Sequence, residues 1–175
     1  MRVAGCGDSD LMRVREYVLL YLLGLGVACG VAWFQPAPGY MDADYYALGG
    51  RELARGNGFT EWVLWNYLDD PAGLPHPSHA YWMPLASLVA ALGWGLTPLE
   101  GFAASRLGFL ALAAAVPPLT AALAFSLHPK RKAAWLAGLL AAFSGFYLPF
   151  LPTTDTFALY MVLGAVFLLV AGRAG

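Results

Sequence analysis

The sequence predicts an all-α, polytopic membrane protein with about four transmembrane helices and a long external first loop containing interfacial helices. Three observations lead there. The chain is 59% hydrophobic and 12% charged over 175 residues, well below the roughly 25% charged residues of a soluble domain. Its apolar residues gather into runs near the ~20 residues that a helix needs to cross a hydrocarbon core. Its basic residues cluster at the ends of those runs, as cytoplasmic loops of membrane proteins do. A net charge of −1 gives no electrostatic footprint for nucleic acid, and none is expected as a partner.

Residues 1–16 read as a cytoplasmic tail carrying Arg13 and Arg15. Residues 17–34 form the first apolar run. It is longer than the 7–15 residues of a signal-peptide h-region and lacks a small-residue cleavage site, so an uncleaved span is favoured. Cys6 and Cys29 lie in different environments without metal-ligand company and make no disulfide framework.

Four further apolar runs follow, and the first of them, Ala80–Leu96, decides the topology. If it crossed, the basic cluster His128–Lys132 would face away from Arg13 and Arg15; if it does not, all the clusters share one side. Pro84, Gly93, Gly95 and Pro98 also weaken it, and Tyr81, Trp82 and Trp94 suit an interface. It therefore reads as an interfacial helix. Residues 35–101 become one external loop, followed by spans at 102–127, 133–151 and 156–172. A basic cytoplasmic loop at 128–132 and a short external loop at 152–155 separate them. Asp42 and Asp155 then share the extracytoplasmic face. The expected location is a cell membrane of the bacterial inner type, with the N-terminus cytoplasmic.

Within the loop, Pro36, Pro38 and Gly39 end the first helix. A second helix is expected from Asp42 or Asp44, as N-cap, to about Arg55, closed by Gly56-Asn57-Gly58 and weakened by Gly49 and Gly50. Trp62, Trp65 and Tyr67 make the next stretch aromatic, and Asp69–Gly73 reads as a turn. Pro117 and Pro118 are expected to kink the second span.

Each candidate residue has a plain alternative. Asp42 and Asp155 can be ordinary helix N-caps, or carboxylates acting on a substrate or metal at the membrane surface. A carboxylate at the end of a span costs up to about 2.5–3.5 kcal/mol at the bilayer centre, which makes Asp155 the more informative. Arg106 can snorkel to a lipid phosphate or pair with a loop acid. His76 and His79, with Pro77 between them, are not at a helical metal spacing.

Taken in order, these residues resemble the GT-C glycosyltransferases, most of all the protein O-mannosyltransferase and lipid A aminoarabinose transferase branch. The pattern D-x-x-x-Y-A…R-E-x-L…G is matched by Asp42, Tyr46, Ala47, Arg51 and Glu52, with Leu53 and Gly56 close to it. The family's K-P-x-x-x-Y-W segment is matched by HPSHAYW, with Pro77, Tyr81 and Trp82 in register and His76 in place of the lysine. Arg106 and the second acid, Asp155, also fall in order. The resemblance implies a polyprenyl-phosphate sugar donor, a protein or glycolipid acceptor, and Asp42 as general base. It implies Arg106, His76 and Tyr81 at the donor phosphate, and Asp155 with Asp44 orienting the site or holding a divalent ion (Mg, Mn or Zn). Relatives carry more spans, so this chain looks like the N-terminal part of a longer enzyme. The rival reading is a non-enzymatic polytopic protein in contact with membrane lipids, such as part of a transporter or an assembly scaffold.

Overall fold

The computed structural model describes residues 11–64 and 72–174. Cys6, Trp65, Tyr67 and the Asp69–Pro71 part of the expected turn lie outside the described residues. The described chain is mostly helical, with seven helices and one two-stranded pairing. It divides into two compact units.

The first unit comprises Met1–Ala32, Leu110–Pro152 and Phe157–Gly175. It contains α1 (Val14–Trp33), most of α5 (Leu107–Leu127), α6 (Arg131–Ala142) and most of α7 (Thr156–Ala174). Helices α1 and α5 are long and apolar enough to cross a membrane. Two buried layers hold the unit. Leu20, Ala121 and Ala134 form one, flanked by Tyr17, Phe125 and Trp135. Ala28, Ala113, Leu151 and Ala158 form the other. Eight residues of α1 separate the layers, about 12 Å of helix.

Small residues allow close approach, as helix packing in lipid requires. A Cβ added at Gly24 would stand 3.0 Å from Pro117 Cγ and 3.1 Å from the Ala114 carbonyl. Pro118 deprives that carbonyl of its usual i+4 donor, so the backbone of α1 meets α5 where its ladder is open. No break interrupts α5 at Pro117 or Pro118.

The run expected to form a spanning helix over 133–151 is helical only in part. Its helix, α6, has 12 residues, about 18 Å against a core of about 30 Å. Residues 144–151 continue as successive turns closed by Tyr147 and Leu148 N–H groups on the Ser144 carbonyl and by Phe150 and Leu151 on that of Tyr147. Gly145, Pro149 and Pro152 are the physical reason. Even so, this stretch reaches from the Ala134 layer to the Leu151 layer.

At one end of the unit Glu16, 3% exposed, accepts hydrogen bonds from the Arg13 N–H at 2.8 Å, Arg131 Nε at 2.7 Å and Trp135 Nε1 at 2.7 Å. This carboxylate ties the basic start of α1 to the basic start of α6.

The second unit comprises Trp33–Phe109 and Thr153–Thr156. It holds α2 (Met41–Ala54), β1 (Thr60–Glu61), β2 (His76–Pro77), α3 (Leu85–Leu96) and α4 (Gly101–Ser105). Helix α2 runs almost as expected, but neither acid caps it: Tyr40 holds the N-cap position, without a side-chain cap bond, and Asp42 and Asp44 sit in the first turn. There they complement the helix dipole. Gly56, at φ +81°, follows the last turn. Gly49 and Gly50 are required by packing. A Cβ at Gly50 would meet Ala90 Cβ at 2.5 Å and the Ala91 backbone nitrogen at 3.0 Å, so these glycines let α3 lie against α2. The 12 residues of α3 are too few to cross a membrane alone. The strands pair antiparallel, Thr60 with Pro77 and Glu61 with His76. The expected helix from 102 is divided at Arg106, which separates α4 from α5.

Candidate functional site

The segment Thr153–Thr156 is fixed to the start of α2 by two buried threonines. Thr154 Oγ1 donates to the Ala43 carbonyl at 2.6 Å, and Thr153 Oγ1 to that of Pro38 at 3.3 Å. These bonds cross 111 and 115 residues of sequence and set Asp155 beside the first turn of α2. There the Tyr40 hydroxyl donates to Asp155 Oδ2 at 2.6 Å. Asp155 Oδ1 accepts from the Thr156 N–H and, at 3.1 Å, from its hydroxyl. Asp155 is 5% exposed, and three donors compensate its burial.

Asp42 stands within electrostatic reach of this group. Burial, and then the charge of Asp155, raise its carboxyl above the usual value of 3.8. Tyr40 is pushed far up as well, first by burial, then by its bond to Asp155 and by the charges of Asp155 and Asp42; it remains a neutral donor. The arrangement is a pair of carboxylates within electrostatic reach of each other, one of them bonded to a phenol. Of two close acids, one is made a stronger base by the other.

The remaining candidates lie elsewhere in the same unit. Asp44 is exposed and lines a cavity of about 380 Å³ with Arg51, Arg55, Trp94, Glu100 and Phe102. Among the described residues no three His, Cys, Asp or Glu side chains come together. Arg106 Nη1 donates to the Gln35 carbonyl at 2.7 Å, and its guanidinium lies 4.9 Å from the centre of the Phe102 ring.

His76 is buried in the strand pairing, with Nε2 at 3.3 Å from Glu61 Oε1 and 3.1 Å from the Val63 carbonyl. Tyr81 is 58% exposed, on the stretch leading to α3. His79, at φ +64°, clamps this loop: its N–H donates to the Tyr45 hydroxyl, and its ring nitrogens meet the hydroxyls of Ser78 and Ser87. Burial lowers the pKa of its imidazole.

Sequence reasoning gave Tyr40 and Glu61 no role and Glu52 only a place in the family pattern. Tyr40, next but one to Asp42, had only that adjacency as a signal. Glu52 holds the end of α2 by accepting from Asn57 Nδ2 at 2.7 Å, Arg51 Nε at 3.2 Å and Trp62 Nε1 at 3.4 Å. These donors, Asn57 first and opposed by burial, lower its pKa. Glu61 joins His76 to a second cavity, about 160 Å³, bounded by Tyr45, Leu48 and Trp62.

Against known families, curated proteins and solved structures, the chain matches no family model, no curated protein and no structure.

Proposed function

We propose that this chain carries the acceptor-activating site of a membrane glycosyltransferase that takes a sugar from a polyprenyl-phosphate donor on the extracytoplasmic face. The observation that carries the reading is Asp42 within electrostatic reach of Asp155, whose carboxylate Tyr40 holds. In the proposed step the acceptor O–H or N–H attacks the anomeric carbon. A new bond forms there, the carbon–oxygen bond to the phosphate breaks, and polyprenyl phosphate leaves with the electron pair. Asp42 takes the acceptor's proton as general base, and the nearby carboxylate Asp155, held by Tyr40 and Thr156, raises its basicity. Arg106 and Tyr81 face the donor phosphate in this reading. Glu61 beside His76 makes that ring a poor phosphate ligand, because a second anion would sit against the carboxylate. A divalent ion held at Asp155 would be an alternative to this step, because its charge would lower rather than raise the basicity of Asp42.

The membrane orientation rests on the Glu16–Arg131 contact, which joins the two basic stretches at one end of the first unit. The positive-inside rule assigns that end to the cytoplasm, and the chain leaving α1 then emerges on the opposite face. A transport path finds less support: the Thr120 hydroxyl is turned back onto the Val116 carbonyl of its own helix.

The test is Asp42→Asn in the full-length protein. Sugar transfer should fall by at least ~100-fold, the lower range for a general base, with membrane insertion unchanged. Normal transfer by this variant would remove the proposal's central residue.

A further inference from the structure

We propose that the groove along the start of α6 binds an anionic phospholipid, its phosphate at Lys132 and Lys130 and its acyl chain along Leu136 and Leu139. The groove is shallow and open, offers about 330 Å³ and is lined by Arg131, Lys132, Trp135, Leu136 and Leu139. Arg131, Trp135 and Leu139 recur at i, i+4 and i+8, and Lys132 and Leu136 run beside them, so one face of the helix passes from charge to aliphatic surface. The passage takes eight residues, about 12 Å, the distance from a lipid phosphate into the acyl region.

The wall of this groove is rigid. Glu16 Oε1 accepts from Arg131 Nη2, Arg131 Nε and Trp135 Nε1, each at 2.7 Å, which fixes the guanidinium and the indole together. That one carboxylate balances Arg131 and leaves the exposed lysines 130 and 132 as a net positive pair. Charge therefore selects an anion. The floor selects a lipid over a soluble anion, because Leu136 is 58% and Leu139 37% exposed and phosphate alone would leave both bare. Basic pockets on the cytoplasmic side of membrane proteins hold anionic headgroups in this manner.

The inference rests on the membrane reading of α1 and α5, so embedding is measured separately, by flotation of the protein with neutral phosphatidylcholine vesicles. Lipid choice is then read from the fluorescence of Trp135, taken as the difference between the protein and its Trp135→Phe variant. Brominated phosphatidylglycerol should quench this signal more strongly than brominated phosphatidylcholine. At about 1 kcal/mol per basic residue near an anionic surface, Lys130→Gln and Lys132→Gln should each reduce the preference about fivefold, and Lys132→Arg should keep it. Equal quenching by the two lipids, or a preference unchanged in the double glutamine variant, overturns the proposal. So does loss of the preference on adding inorganic phosphate, which would identify a site for a free anion. Failure to float removes the membrane reading and this site with it, whereas flotation without preference removes only the site.

Discussion

At the scale of residues, the site depends on two acids made unequal by their surroundings. Asp155 has three donors, and Asp42 is raised by burial and by Asp155. A base works only when deprotonated, so the acid limb of the transfer rate should lie above pH 3.8, the ordinary value for Asp. Asp155→Asn removes the second cause of the shift and leaves burial, the first. The limb of kcat/KM should therefore move to lower pH without returning fully to the ordinary value. An unchanged limb in a folded variant would show that Asp42 does not titrate in the proposed step. The sequence made Asp42 and Asp155 legible because both flank apolar runs, where a charge is costly. It could not show Tyr40 as the partner of Asp155, since that bond closes over 115 residues and has no local pattern. The cap role expected for Asp42 failed for a nearby reason: the N-cap is Tyr40, two residues earlier, and the helix starts at Met41.

At the scale of elements, glycine has opposite meanings in a helix read alone and in a helix read in contact. Gly49 and Gly50 weaken α2 by propensity, by about 1 kcal/mol each relative to alanine. In the fold they are where α3 lies against it. Gly50→Ala gains that propensity but drives a methyl to within 2.5 Å of Ala90 Cβ and 3.0 Å of the Ala91 backbone. Helix backbone cannot yield as a side-chain tip can, so the overpacking cost of about 1–3 kcal/mol should exceed the gain. Thermal unfolding in detergent should show a lower midpoint, and a raised one would contradict this packing. The extent of α2 was legible from its breaker residues, while the length of α6 was not taken from the same kind of signal. Hydropathy summed residues 133–151 as one run, although Gly145, Pro149 and Pro152 within and beside it shorten the helix to Arg131–Ala142.

At the scale of the whole molecule, the proposed topology gives one clear expectation. With Cys6 and Cys29 replaced by serine, single cysteines at Ser78 and Lys132 should react with an impermeant reagent from opposite sides of the membrane. Labelling from one side would refute the four-crossing arrangement. Hydropathy and the basic clusters were enough to propose that arrangement, whereas the Glu16–Arg131 contact is a bond that no local pattern contains. Glu16 to Arg131 and Tyr40 to Asp155 both close across 115 residues. A ribosome adding about 5–20 residues per second needs roughly 6–23 s to cover that interval. Through all of it α1 exists without the two long-range bonds that later hold its flanks. Both ends of α1 are therefore fastened late, and a nascent chain halted before Arg131 should hold neither bond.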